Sequence, residues 1–435
     1  MFIENVITKL WEPVSIDFKE IYDNAMKMET EDLFNVIVSE IKKEDNIYYE
    51  SKELCITALT TNGCPHNNRN GRFSGCSMCD YSSGSIDRMA KMSALKDKSL
   101  ERYMDVMYIS FEKARGITPE PSDIELLSAH DFLNSQEVPD ELLEHGAKGE
   151  FFKSRPKTRY VFETRAASVT LEKITKWKEK LGEKVSVELG VEVSNDWLRN
   201  HWINKNTSNE QIVNAMKMIH DIGWGTGTNI LIGIPGLTEK QSIEIFKKTF
   251  FWVYDLNAGY ILCSPLMRKS RTLQEYIYDK LNDNKDLQRL GVAVGVNTGI
   301  PTIFTVFDCI YSVITEKPDA AARIRLSPIY FPPYFENIKE INKGTSCEKI
   351  TDYLCKILWE YSFTKNYSLL QEAKEILSKN EDYLKYESNI NSQSDYNNIS
   401  DTISVLGQEI SKDIWGTGWT EKAALLESEL KTYKA

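Results

Sequence analysis

Histidine is scarce in this chain, with 5 among 435 residues, and cations are outnumbered: 53 lysines and arginines face 64 acids, a formal net charge of -11. Proteins that grip long nucleic acids owe their affinity to cations that neutralise phosphates. Here the basic residues are interspersed with acidic ones, in no stripe longer than KWKEK at 176–180, so there is no footprint for a long nucleic acid. Long apolar runs are also missing. Nothing approaches the ~18 apolar residues that cross a bilayer, and the acidic, charge-interrupted start, MFIENVITKLWEPVSIDFKE, has the pattern of neither a secretory signal nor an anchor. The expectation is a cytoplasmic protein without membrane contact, in which thiols stay reduced.

A hydrophobic share of 41% with 27% charged residues is ordinary for a globular chain. The length calls for a large core with appendages. Three regions are expected: an N-terminal helical extension over 1–50, a β/α unit with a capping segment over 51–335, and a C-terminal helical region over 336–435. In the last, the Asn- and Ser-rich YESNINSQSDYNNISD is expected as a linker or exposed loop.

The middle region alternates strand and helix patterns. ELCITALTT, DIELLSAHDFL, TRYVFETRA, KVSVELGVEVS, GTGTNILIGIPG and GYILCSPL are β-branched, turn-bounded runs separated by helical spacings such as TLEKITKWKEKLG and TSNEQIVNAMKMIHDIG. A capping box at Thr207 with Glu210 is expected to open the latter helix, and Gly223 to close it. Such alternation implies right-handed parallel crossovers, hence a wound sheet or barrel of α/β class. In a parallel barrel the chemistry sits in loops after the strands' carboxyl ends.

The loop after the first of those strands, TTNGCPHNNRNGRFSGCSMCDYSSG, gathers Cys64, Cys76 and Cys79 in polar surroundings. Clustered cysteines in a reducing compartment bind metal or do chemistry more often than they staple a fold. Cys76 and Cys79 can chelate one centre from a single turn. Two readings follow: a structural zinc with His66 as fourth ligand, in a non-catalytic protein, or a four-iron cluster held by three thiolates with one iron open. The parallel strands behind the loop favour the second. Cys55 and Cys263 fall inside strands, and Cys309, Cys347 and Cys355 are scattered without chelating spacing.

A strand, a three-cysteine loop ending CSMCDY and a run of β/α units resemble the radical S-adenosylmethionine (radical SAM) superfamily. The eleven residues between Cys64 and Cys76 depart from its commonest spacing of three, and are similar to the long gaps of the archaeosine-synthase-type and elongator-type branches. The resemblance covers about residues 53 to 275. It implies a partial TIM barrel of radical SAM type with helical extensions. It also implies a [4Fe–4S] cluster on Cys64, Cys76 and Cys79, and S-adenosylmethionine chelated by the fourth iron. Reductive cleavage would give a 5'-deoxyadenosyl radical that abstracts hydrogen from a substrate, with an electron donor such as flavodoxin or ferredoxin as partner.

Carried over residue by residue, the resemblance sets Met78 and Tyr81 near the adenine, and Ser128 and His130 near the methionine moiety or the substrate. Glu163 and Arg165 stand at the third strand's end as a charged pair, the carboxylate suited to ribose hydroxyls and the guanidinium to clamping a carboxylate. Glu188 and Glu192, four apart on one strand, share a face. Glu192, nearer the carboxyl end, is the expected ribose ligand, with Asn195 and Arg199 as helpers. Gly233, Ile234 and Pro235 are expected as an apolar shelf for adenine. His130 and Arg165 are the candidate catalytic residues.

For the substrate, the missing basic patch favours a small molecule, such as a nucleoside, sugar or amino-acid derivative in a biosynthetic pathway. A transfer-RNA base, as in the archaeosine branch, is the alternative. RIRLSPIYFPPYF at 323–335 has two readings: a lid placing Arg323, Arg325 and Tyr330 over the mouth, or a proline-rich reversal packing aromatics against the barrel.

Overall fold

The computed structural model describes residues 1–43, 47–51, 53–80, 85–117, 122–145, 158–289, 298–392 and 398–434. Its centre is one open, curved sheet of eight strands. In chain order the strands are β1 (Ile47–Glu50), β2 (Leu54–Ala58), a small separate hairpin of β3 (Asn68–Arg69) and β4 (Arg72–Phe73), then β5 (Ile124–Ser128), β6 (Arg159–Thr164), β7 (Val185–Glu192), β8 (Gly225–Ile232), β9 (Tyr260–Pro265) and β10 (Ile324–Leu326). The large sheet runs β1-β2-β5-β6-β7-β8-β9-β10. β1 is antiparallel to β2, and every other neighbouring pair is parallel. Six of these parallel strands are those expected from the strand-helix alternation; the seventh, β10, lies in the segment read as a lid or a reversal, and the seven together make a parallel half-barrel.

The strand β7 shows why the sequence folds this way. In VSVELGVE, Val185, Val187, Leu189 and Val191 point outward and are buried under the surrounding helices. Ser186, Glu188 and Gly190 alternate with them and point inward. Fully burying each such aliphatic side chain contributes about 1.5 to 3 kcal/mol, so the outer face fixes the register and thereby the inward aim of the carboxylates.

Crossover helices carry their own stop signals. Thr170 caps the helix Leu171–Leu181, accepting a hydrogen bond from the Lys173 amide, and Gly182 ends it at φ +66°. The helix Asn209–Asp221 opens on a capping box one residue later than expected, Ser208 with Gln211 rather than Thr207 with Glu210. Thr207 is engaged elsewhere: its amide donates to Asn200 and its hydroxyl accepts from Arg165.

Inside the half-barrel the layers change character along the strands. The amino ends hold a small apolar plug of Ile56, Leu126 and Val161. One row further, the register aligns Ser128 beside Glu163, Glu163 with Glu188, Glu188 with Gly227 and Gly227 with Tyr260. A polar layer therefore lies directly above the plug.

The terminal helices meet each other. Phe2, Ile3 and Ile7 from the Phe2–Leu10 helix share a core with Leu406, Ile410 and Leu426 from helices Ile399–Trp415 and Trp419–Leu430. The Phe2 amide donates to Glu429 at 2.9 Å. The Asn- and Ser-rich stretch expected as a loop is helical through Ser392, and a new helix starts at Ile399; residues 393–397 lie outside the described residues. Tyr383 and Tyr386 anchor that helix by packing on Phe304.

Candidate active site

At the carboxyl ends of the strands a cavity opens, walled by Cys64, Cys76 and Cys79 on one side and by β6 to β9 on the other. The centre of a water molecule has about 150 Å³ to move in, so the void itself is larger. Cys64, Cys76, Met78, Cys79, His130, Glu163, Arg165 and Glu192 all line it, which brings most of the expected site residues together. Ser128 stands one step behind, donating to Glu163 at 2.8 Å. Tyr81 lies outside the described residues.

Other expectations are corrected. Arg199 is fully buried away from the cavity, its guanidinium donating to the carbonyls of Val191, Val193, Ser194 and Thr207 and to the side chains of Asp196 and Asn209. It ties the end of β7 to the following helix and has no N–H left for a ligand. Asn195 caps Leu198 and donates to the Lys434 carbonyl. Gly233, Ile234 and Pro235 do not line the cavity either. Gly233, at φ +99°, is packed so closely that an added Cβ would sit 2.8 Å from Pro301, and the Pro235 carbonyl accepts from Trp202. The β8 side chains that do face the cavity are Asn229 and Leu231. Arg323 and Arg325 are spent on backbone carbonyls and the Tyr254 ring; of the suggested lid only Tyr330 reaches the wall, and Phe331 and Tyr334 pack inward.

The electrostatics centre on carboxylates. Lys205 Nζ meets Glu192 Oε1 at 2.7 Å in a pair only 10% and 8% exposed. The β7–β8 register shifts between Gly190 and Glu192, and Glu192 sits there at φ +64°, a left-handed conformation that costs a non-glycine residue about 1 to 3 kcal/mol. Glu188 accepts from Asn229 at 3.0 Å and from the Tyr260 hydroxyl at 2.8 Å. Gly227 is what lets the Tyr260 ring cross β8, since a Cβ there would lie 2.1 Å from it. Burial, then the neighbouring charges of Glu163 and Glu192, push Glu188 up to about 8. Glu163 is raised as well, again mainly by burial.

Sequence reading missed the supports. Glu137, fully buried, accepts from His130 Nδ1 at 2.7 Å, the Thr61 hydroxyl at 2.7 Å and the amides of His130 and Asp131. Burial works against its charge, but His130 outweighs it and holds Glu137 below the usual carboxylate range. Asp131 accepts from the Thr164 and Ser168 hydroxyls and the Arg165 amide. Both sit within the HDFLNSQE stretch, where an acid followed by an amide-rich turn is the only sequence signal. Glu163 and Arg165 do not pair: Arg165 Nη2 instead donates to the carbonyls of Lys205 and Asn206.

Do these residues suit a metal cluster? Among the described residues no three His, Cys, Asp or Glu side chains converge tightly enough for a single metal ion. His66 is spoken for: its Nε2 donates to the Asn204 carbonyl at 2.5 Å and its Nδ1 accepts from Arg69 at 3.3 Å. Three thiols nonetheless share one cavity wall, and around them four buried polar atoms have no partner among the described residues: the potential donors Ser74 Oγ, Ser77 Oγ and Arg165 Nε, and the acceptor Asn204 Oδ1. Unpaired buried donors are costly, and beside three thiols they suit a sulfur-rich, anionic group. The donor set fits an iron–sulfur cluster.

The family model of the radical SAM superfamily matches residues 59–249, from just after β2 into the Glu239–Asp255 helix, and takes in all three cysteines. These residues are a radical SAM domain. The radical SAM family uses a [4Fe–4S] cluster and S-adenosylmethionine, in keeping with the donor set. The uncharacterized protein MJ0550 of Methanocaldococcus jannaschii is 24% identical over 246 residues, 54% of this chain and 62% of that protein. The chain thus matches less than two thirds of that relative's length. Among solved structures, coproporphyrinogen III oxidase (HemN) from Escherichia coli aligns at 13% identity and TM-score 0.39 over 63% of this chain and 54% of that one. Elp3 of Methanocaldococcus infernus aligns at 16% identity and TM-score 0.37 over 64% and 57%. No described helix of the chain is long and apolar enough to cross a membrane.

Proposed function

We propose that this chain is a radical SAM enzyme acting on a small molecule, with Cys64, Cys76 and Cys79 holding the cluster and the polar layer of β6 to β9 facing the substrate. The observation that carries this reading is that the three thiols share one cavity with Glu163, Glu188, Asn229 and Ser264. When bound and reduced by one electron from a flavodoxin- or ferredoxin-type donor, the cluster supplies reductive cleavage of the S-adenosylmethionine sulfonium and hence hydrogen abstraction, chemistry that belongs to the cofactor.

The chain's own residues bind, orient and neutralise. Arg165, its Nη2 fixed to two carbonyls, presents an unpaired Nε–H beside the thiols. Lys205 neutralises Glu192, so the strained carboxylate can accept a hydroxyl without standing as a bare buried charge. Glu188, with its pKa raised to about 8, is mostly protonated near neutral pH and can donate to a substrate polar group. The apolar cluster of Ile56, Leu126 and Val161 lies beneath this polar layer.

A small substrate is favoured over transfer RNA by the charge of the mouth. Its lining has the carboxylates of Asp80, Glu163, Glu188 and Glu192 against the cations of Arg165, Lys205 and Lys269, and Lys269 is already paired with Asp80 at 2.9 Å. No surplus of positive charge awaits a phosphate backbone.

The test is anaerobic reconstitution followed by iron and sulfide analysis and assay of reductive S-adenosylmethionine cleavage, read as 5'-deoxyadenosine. About four irons per chain and deoxyadenosine release are expected. A colourless protein with one zinc would overturn the enzyme reading. A salt-sensitive gel shift with transfer RNA would overturn the small-molecule one.

A further inference from the structure

We infer that Asn204 is the positioning residue that holds the cysteine loop in its ligand-ready shape; this rests on the reading that Cys64, Cys76 and Cys79 hold a cluster. Eleven residues separate Cys64 from Cys76, so their backbone cannot fix the two sulfurs as a single chelating turn would. Left free, the loop would lose conformational entropy on each ligation event.

Asn204 removes that freedom from the far side of the barrel. Fully buried, it donates from Nδ2 to the carbonyls of Ser74 and Gly75, both at 2.8 Å, just before Cys76. Its own carbonyl accepts from His66 Nε2 at 2.5 Å, just after Cys64. One residue thus ties both limbs of the loop. Next to it, the Ile203 carbonyl accepts from the Ser77 amide at 2.8 Å. Within the loop, Asn67 accepts from the Gly75 amide through Oδ1, and an added Cβ at Gly75 would lie 2.5 Å from that atom.

Delivery of Asn204 to this place is itself unusual. The turn Leu198–Trp202 closes with a hydrogen bond from the Ile203 amide to the Leu198 carbonyl, five residues apart. Asn204 then adopts φ +61°, a conformation that asparagine tolerates better than most side chains. Its amide does what a side chain with one donor could not, since two carbonyls need two N–H groups.

The experiment compares wild type with Asn204→Asp, which keeps size and tolerance of positive φ but loses both donors, and Asn204→Gly, which relieves the backbone and deletes the staple. Each is reconstituted anaerobically and read by iron and sulfide per chain, iron release to a chelator, EPR spin count of the reduced cluster, and melting of the iron-free chain. Both variants are expected to release iron at least about tenfold faster than wild type with a lower spin count, while the iron-free chains still fold. Retention and release at wild-type rates in both variants would overturn the inference. Recovery by Asn204→Gly alone would also overturn it, by showing that only the backbone conformation matters. Should either variant fail to fold, His66→Phe, which removes a single donor, decides: faster release supports the staple and an unchanged rate overturns it. A wild type that takes up no iron sinks the cluster reading itself, before any variant is compared.

Discussion

Lys205 Nζ lies 2.7 Å from Glu192 Oε1, and the pair closes over Gly190, where an added Cβ would sit 2.5 Å from that nitrogen and 3.2 Å from that oxygen. The lysine end is flexible, so it can retreat from a new methyl group, but only by leaving the carboxylate.

Gly190→Ala is therefore expected to destabilise the protein by about 1 to 3 kcal/mol. Lys205→Met, which strands Glu192 unpaired, should cost about 3 to 5 kcal/mol. The double variant Lys205→Met/Glu192→Leu should recover part of that loss, because no buried charge is then left alone. Denaturant unfolding of the set measures each term; a double variant as unstable as the sum of the singles would contradict the pairing.

Glu188 predicts a pH dependence. Its pKa is raised from an ordinary 4.5 to about 8 by burial and by neighbouring carboxylates, so the folded protein holds a proton that the unfolded chain releases between those values. Stability then falls as pH rises through that window, by at most about 1.4 kcal/mol per pH unit, and levels off above it. Glu188→Gln should flatten this slope between pH 5 and 8. Equal slopes for wild type and variant in denaturant titrations would refute the assignment.

Arg199 separates stability from ligand binding. Arg199→Lys loses the guanidinium contacts to Val193, Ser194 and Thr207, with an expected cost of about 3 kcal/mol or more. Since Arg199 does not face the cavity, S-adenosylmethionine should bind the folded variant with unchanged affinity. Calorimetry on the folded fraction checks this, and a tenfold loss of affinity with normal stability would restore a ligand role.

The cysteines divide into two groups. Cys64→Ala, Cys76→Ala and Cys79→Ala should each abolish most of the iron uptake. Cys55→Ala, Cys263→Ala and Cys309→Ala, whose thiols are buried away from the cavity, should keep the iron and lose stability by about 1 kcal/mol each. Iron analysis after reconstitution distinguishes the two patterns.

The strands and the cysteine loop were legible because their signals are local. VSVELGVE alternates with the period of a strand, and CSMC carries a chelating spacing within one turn, so neither needs knowledge of distant residues. The capping box slipped by one residue because Arg165, 42 residues before Thr207, recruits that hydroxyl. Arg199 looked like a ligand helper because it stands near Glu192 in sequence, yet its side chain turns back onto the carbonyls of its own segment. Gly233 was expected to admit a planar ring, and instead admits Pro301.

By itself the sequence determined the class of the fold, the position of the loop after its first parallel strand, and the three thiols that loop presents, since hydrophobic period and chelating spacing act within a few residues. Tertiary structure alone decided which carboxylates share the cavity, which cation neutralises Glu192, and that Asn204 and Glu137 hold the loops. Those choices depend on burial and on hydrogen bonds closed across the barrel between segments as far apart as His66 and Asn204, and no local pattern encodes such distances.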